Sequence, residues 1–385
     1  MKRLPGIVRD GAISAGIALL LLGAVEVALR VVGRVRSGSW PQTQISACYE
    51  TIHVVRSLYR RHPFLLVAPR EGAHAQVGDK QIRFNSLGYR SPERPRAKPL
   101  GTERVVCAGG STTLDLLARN DQETWPWLLE GALRRTLPAV EVWNAGFNGW
   151  TSLENLISLA DRDVDLAPDV VVLFQGINDL QPAVHEPFDP QYVGGHAGVS
   201  LRALGFDLPP LPWWQRSLLL EQARRLFVRQ SDPWGLLRPP ANPGPLRREM
   251  SPEAIATFAR NVRSFIAVAR EHGARVVLVT QTIRIRRQHR DSDLAYLAGW
   301  LPGLDPAAAP AQLGRFNDVL RRLGDGRHAV LADAASEVGW TDGDFADPMH
   351  FSAAGSARLA AYLAGRLAPL LEPPATPKEL EPLKP

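Results

Sequence analysis

In the middle of the chain stands Val170-Val171-Val172-Leu173-Phe174, five consecutive apolar residues rich in β-branched and aromatic side chains. A strand with one wet face alternates apolar and polar residues, because successive side chains point to opposite faces. An unbroken apolar run of this length suits a strand covered on both faces, as in a parallel sheet between layers of helices. Shorter runs recur at Val105–Ala108, Val140–Trp143, Val276–Val279 and Ala329–Ala332. Helical stretches lie between them. Trp125–Leu137 reads as one helix, and Ser251-Pro252-Glu253 starts another with an N-cap side chain and Pro at the first position. In that second helix Ile255, Phe258, Val262, Phe265 and Ala269 fall on one face. A closing helix runs over Ala353–Leu371 behind Ser352. The alternation predicts an α/β domain with a doubly wound parallel sheet. Such sheets take ligands outside the carboxyl ends of their strands.

Four short segments bear on that edge. Gly109-Gly110-Ser111-Thr112, Asn144-Ala145-Gly146-Phe147-Asn148-Gly149 and Gly176-Ile177-Asn178-Asp179 each follow a strand-like run, and Asp347-Pro348-Met349-His350 lies in the loop before the last helix. Each alone is a common turn or cap. In this order they supply what acyl transfer needs. A serine hydroxyl is a poor nucleophile near neutral pH, so a base must take its proton during attack. Histidine suits the task because its pKa lies near 6.5 and it can return the proton to a leaving alcohol. A nearby carboxylate fixes the imidazole tautomer. Preplaced donors stabilise the oxyanion of the tetrahedral intermediate.

These segments and their spacing resemble the SGNH (GDSL-like) hydrolase family, over roughly residues 100 to 372. The resemblance implies a flavodoxin-like, three-layer α/β/α fold and an ester hydrolase without cofactor or metal. It implies Ser111 as nucleophile, His350 as general base and Asp347 as its orienting carboxylate. The oxyanion hole maps to the Ser111 and Gly149 N–H groups and the Asn178 amide. One departure stands out: the family's usual Gly-Asp-Ser reads Gly109-Gly110-Ser111 here. No carboxylate precedes the serine, yet all four named functions keep their residues. Gly110, Trp150, Asp179 and Arg284 are further candidates for contact with substrate. For Asp179, support of the Asn178 loop and a plain turn are both open; Trp150 walls a pocket or belongs to the core.

Composition removes other classes. The net charge of +6 comes almost wholly from arginine, with lysine at five positions, and no basic run interleaved with aromatics suggests nucleic acid. Cys48 and Cys107 are too few for a disulfide framework or a zinc site. Arg284, Arg286, Arg287 and Arg290 follow the strand that ends near Thr280; they line the site or lie solvated at the surface. His289 and His328 read as surface residues rather than metal ligands.

The start of the chain carries a second signal. Gly11–Val25 holds no charge, and continuation to Val32 gives a helix of about 33 Å at 1.5 Å per residue, matching the hydrocarbon core of a bilayer. Glu26 and Arg30 sit in its last turns at i,i+4, where they can pair. No small-residue cleavage pattern follows, so an uncleaved single-pass anchor is expected. Residues 1–10 are then a cytoplasmic tip, 11–32 the span, and the catalytic domain lies outside the cytoplasm. Flanking arginines on both sides leave the positive-inside rule undecided.

Residues 33–100 form a connector expected to pack on the catalytic domain, with Phe64–Val67 and Gln81–Phe84 pairing as short strands. Residues 101–372 make the hydrolase-like domain, interrupted at 180–250 by an insertion rich in Pro, Arg and Trp. Within it Leu219, Leu220, Ala223, Leu226 and Phe227 form one helical face beside Trp213, Trp214 and Trp234. That helix lies on a membrane, covers the site as a lid, or packs on its own domain. Residues 373–385 read as a disordered tail. The functional expectation is a membrane-anchored serine ester hydrolase acting on an O-acylated envelope glycan or lipid. An O-acyltransferase using the same site and a non-catalytic glycan-binding module are the alternatives.

Overall fold

The computed structural model describes residues 6–184, 187–192, 206, 210–227 and 246–371. The expected tail and much of the insertion, Trp234 included, lie outside the described residues. The chain gathers into two compact units, one from Met1–Val54 and Gly205–Leu237 and the other from Val55–Leu204 and Arg238–Pro385.

The larger unit is built on a parallel sheet. In chain order its strands are β5 (Glu103–Gly109), β6 (Val140–Asn144), β7 (Val170–Phe174), β8 (Arg275–Val279) and β9 (Val330–Ala332), and in space they run β6-β5-β7-β8-β9. Every pairing is parallel. Central β7 is buried along its whole length. Its side chains divide by the period of two: Val171 and Leu173 join a cluster with Phe258, Phe265 and Phe316, whereas Val170, Val172 and Phe174 join one with Trp125, Leu359 and Leu363. A two-sided core of this kind explains why no polar residue interrupts the run. Because the chain passes from β5 to β6 on one side and then to β7 on the other, the order reverses around β5. That is the switch point of a doubly wound sheet.

The helix Pro252–Glu271 starts where Ser251 accepts a bond from the Ala254 N–H at 3.1 Å, and it buries Ala254, Phe258, Val262, Phe265 and Ala269. Ile255 is half-buried beside that stripe. Truncation of Phe265 to Ala would cost about 3–5 kcal/mol, as for other large side chains in close-packed cores. The closing helix spans Ala353–Leu371. The helix expected over Trp125–Leu137 ends at Leu133. Pro138 disfavours helical dihedrals at Leu137, and the last turn tightens through bonds from Arg135 N–H to Ala132 and from Thr136 N–H to Leu133.

The connector strands pair differently from expectation. β1 (Tyr59–His62) pairs antiparallel with β2 (Leu66–Pro69), and β3 (His74–Val77) with β4 (Lys80–Arg83). Each expected strand therefore closes a hairpin with its sequence neighbour rather than with the other. Gly78, at φ +63°, opens the two-residue loop Gly78-Asp79 between Val77 and Lys80, and such short-range closure loses less chain entropy than a distant pairing.

The smaller unit holds the helix Gly6–Ser37, most of the helix Gln44–Ser57, the single turn Trp213–Arg216 and the helix Leu218–Phe227. Asp10–Ser37 is long and apolar enough to cross a membrane, with a mean hydropathy of 2.2, and its apolar stretch lies unburied. A signal sequence shares these properties. The helix Leu218–Phe227 meets this N-terminal helix rather than standing alone: Ser217 Oγ and the Leu218 and Leu219 N–H groups donate to the Glu26 carboxylate at 2.9, 3.2 and 2.9 Å.

Candidate active site

Ser111 begins the short helix Ser111–Leu114 directly beyond β5, and all four of its residues are buried. As the first helical residue it has an N–H with no acceptor in the preceding turn. Its Oγ lies 2.8 Å from His350 Nε2, so two side chains 239 positions apart in sequence meet at the carboxyl edge of the sheet. His350 Nδ1 in turn lies 2.8 Å from Asp347 Oδ2.

The loop that carries His350 is folded largely by its own carboxylate. Asp347 Oδ1 accepts the N–H groups of Met349 and His350, each at 2.8 Å. Burial pushes the Asp347 carboxyl up, but the bond to His350, its charge and the two backbone donors outweigh that and hold it below the ordinary carboxylate range. Phe351 stacks on Phe174, the last residue of β7, with ring centroids 6.0 Å apart, and so ties the loop to the sheet. Arg284 braces the same loop. Its N–H donates to the Pro348 carbonyl at 2.9 Å, while its guanidinium donates to the Trp340 carbonyl and lies 5.9 Å from the Phe345 ring. Arg286 pairs with Asp293 at 2.6 Å, and Arg287 and Arg290 are exposed.

On the other side of Ser111 the donors gather. Asn178 Nδ2 gives one hydrogen to the Trp150 carbonyl at 2.8 Å. A primary amide carries two, so the second remains for another acceptor. Gly110 makes the close approach feasible, since a Cβ there would lie 2.2 Å from Asn178 Nδ2. Where the resemblance expects an aspartate, this chain brings the amide against the backbone next to Ser111. Gly149 sits at φ +79°, a conformation that suits glycine, and presents the backbone of its loop. The Trp150 indole is buried, donating to the Val67 carbonyl at 3.2 Å and packing on Phe147. Its carbonyl, rather than its ring, is the part that holds Asn178.

Asp179 joins the two donor loops. Its carboxylate accepts the Ser152 N–H at 3.1 Å, the Ser152 hydroxyl at 2.5 Å and Gln175 Nε2 at 2.8 Å, and Gln175 also donates to the Trp150 carbonyl. Full burial pushes the Asp179 carboxyl up to about 6 against the pull of those bonds.

Sequence reading missed four residues here. Gln281 accepts the Ile177 N–H at 2.8 Å and donates to Thr112 Oγ1 and the Phe174 carbonyl, binding the Asn178 loop to the nucleophile helix. Its place just past β8, at the carboxyl edge, is the signal that finds it. Tyr296, on the helix Arg290–Trp300, lies near Asp347, and partial burial together with that charge pushes its phenol up. Asp115, at φ +59°, ends the nucleophile helix and accepts the Trp125 N–H at 2.8 Å and the Ser356 hydroxyl at 2.6 Å. Its burial raises the carboxyl to about 6. The buried Arg90 guanidinium fixes the same corner through the Leu114 and Asp115 carbonyls at 3.0 and 2.9 Å. No sequence pattern singles out Tyr296, Asp115 or Arg90.

A hydroxyl, an imidazole and a carboxylate in series beside several backbone and amide donors form an arrangement able to perform acyl transfer. Among solved structures the chain is similar to a GDSL-like lipase from Bacteroides thetaiotaomicron, at 13% identity over 71% of this chain and 93% of that one, with a TM-score of 0.41. It is also similar to TesA, at 19% identity over 70% and 100% with a TM-score of 0.42. A third is the acetylxylan esterase Axe2 from Geobacillus stearothermophilus, at 13% identity over 70% and 96% with a TM-score of 0.39. No curated protein matches the chain. The model of the GDSL-like Lipase/Acylhydrolase family matches residues 107–358, which take in the end of β5, all of β7, Ser111, Asn178 and His350. The chain belongs to this SGNH-type family of carboxylic ester hydrolases.

Proposed function

We propose that this protein is a membrane-anchored serine esterase that removes an O-acyl group from an envelope glycan or lipid. The observation that carries the reading is the 2.8 Å approach of Ser111 Oγ to His350 Nε2, with Asp347 on the far ring nitrogen. In the first half-reaction Ser111 Oγ attacks the ester carbonyl carbon while His350 Nε2 takes the hydroxyl proton. Negative charge gathers on the former carbonyl oxygen, where the Ser111 and Gly149 N–H groups and the second hydrogen of the Asn178 amide receive it. Collapse breaks the bond to the alcohol, which leaves with the proton from His350. In the second half-reaction water gives a proton to His350 and attacks the acyl-serine. The acid departs and Ser111 recovers its proton. Asp347, held ionised by its bonds, keeps Nδ1 protonated and stabilises the imidazolium in both halves.

The apolar N-terminal helix supports the anchor, and with it a substrate of the envelope. The catalytic unit is placed outside the cytoplasm. The test is release of acetate from O-acetylated envelope polysaccharide and turnover of p-nitrophenyl acetate, with the Ser111→Ala protein as control. Wild-type release that disappears in the variant is expected. Equal turnover by both proteins would remove Ser111 from the reaction.

A further inference from the structure

Glu26 is a carboxylate at the end of the uncharged stretch Gly11–Val25 of the helix Gly6–Ser37, and a charge in such a place calls for a partner. Its partners come from two directions. Arg30 pairs with it at 2.8 Å and also donates to the Arg216 carbonyl at 2.7 Å. The Ser217 hydroxyl and the first two N–H groups of the helix Leu218–Phe227 donate to the same carboxylate. Ser217 is the N-cap of that helix, its Oγ accepting the Leu220 N–H at 3.2 Å, and Glu26 adds a second cap from almost two hundred residues away, where a negative charge suits the first N–H groups and the positive end of the helix dipole. Thr43 Oγ1 adds a bond to the Gln215 carbonyl at 2.6 Å, and Glu221 accepts the Gln44 N–H at 3.1 Å. The insertion helix and the end of the apolar helix form one knot.

Around this knot the surface is apolar, aromatic and basic. Trp213 is 76% exposed, Trp40 62% and Trp214 51%, and Val35 and Leu220 are exposed as well. Val27, Val31 and Val32 of the apolar helix are also exposed. Arg34 lies 5.9 Å from the Trp40 ring, and Arg36 closes the last turn. Three exposed indoles with Arg34 and Arg36 at the end of an apolar helix match the bilayer interface, where amphipathic rings sit at headgroup level and cations meet anionic lipid. Water alone would leave these rings solvated in an arrangement that a soluble surface seldom shows.

We infer that the turn Trp213–Arg216 and the helix it leads into dock in the headgroup layer of an anionic bilayer, held there by Glu26. The inference rests on the anchor reading above. Its test uses the full chain reconstituted in vesicles of phosphatidylcholine and phosphatidylglycerol carrying bromine at shallow acyl positions. Tryptophan quenching is compared between wild type and Trp213→Phe/Trp214→Phe, after carbonate washing to establish retention. Expected is retention of both proteins, with a share of the quenchable emission missing from the double variant. Retention with the same quenched emission in both would overturn the docking while leaving the anchor in place. Release of the chain by carbonate would overturn the anchor itself. Glu26→Ala should stay in the vesicles and keep p-nitrophenyl acetate turnover, yet lose the quenching of Trp213 and Trp214. Unchanged quenching in that variant would exclude Glu26 as the clasp.

Discussion

The two sides of the candidate active site are built in opposite ways. The side that carries Ser111, Gly149 and Asn178 comes from three strand ends and is stitched by buried long-range bonds through Asp179, Gln175 and Gln281. The side that carries His350 is a short loop folded by Asp347 onto its own next residues and braced by Arg284 and Phe351. Oxyanion donors act by being fixed before charge develops, so they gain from a rigid, water-poor frame. A base must accept and return a proton, and needs orientation more than enclosure. The contrast teaches that damage to one side should appear first in transition-state stabilisation, and damage to the other first in proton transfer.

Asp347→Asn is the largest test of the second half of that statement. It should lower kcat by about 10⁴-fold through loss of the correct tautomer, with a lower melting temperature at neutral pH that converges on wild type as pH falls and the Asp347 carboxylate is protonated. A loss below tenfold would break the assignment. On the other side Asn178→Ala should lower kcat about 10²- to 10³-fold with little change in KM. Movement of KM alone would make Asn178 a ground-state substrate contact.

The buried carboxylate beneath Asn178 gives a pH signature. Asp179 has its pKa raised to about 6 in the folded state, so between an ordinary carboxylate value near 4 and about 6 the folded chain binds more protons than the unfolded one. Stability should therefore fall as pH rises through that window and level off above it. Asp115 acts in the same direction. Asp347, with a lowered pKa, acts oppositely and only at lower pH, where its contribution is lost as pH falls. Thermal melts of Asp179→Asn between pH 4 and 7 should show a flatter slope than wild type; an identical slope would mean that Asp179 does not titrate there. The smallest effect is expected from Tyr296→Phe, which removes the hydroxyl nearest the Asp347 charge on that helix. A fall in kcat of a few fold, with a shift in the lower limb of the pH–rate profile, would mark Tyr296 as a positioning residue. No shift in that limb would make it a surface neighbour.

Strand β7 and the closing helix were legible because their burial is written into consecutive residues, and Ser111, Asn178, Asp347 and His350 because their types recur just beyond such elements. The pairing of the connector strands was not, since hairpin closure at Gly78 competes with an equally apolar distant partner and the pattern cannot rank the two. Asp115, Arg90 and Tyr296 stayed hidden for a related reason. Their meaning arises only when Trp125, Leu114 and Asp347 arrive beside them in space. The partner of the insertion helix was likewise invisible, because a capping carboxylate nearly two hundred residues upstream leaves no local trace.

The long reach between Ser111 and His350 also orders events in time. During synthesis the serine, its helix and the first three strands of the parallel sheet emerge well before the residue that must accept its proton. On the proposed roles, a nascent chain halted short of His350 would hold the Ser111 hydroxyl without its base and stay inert toward esters. Reactivity would then wait until His350 has been made, when the strands that carry Ser111 and Asn178 are already available to fold.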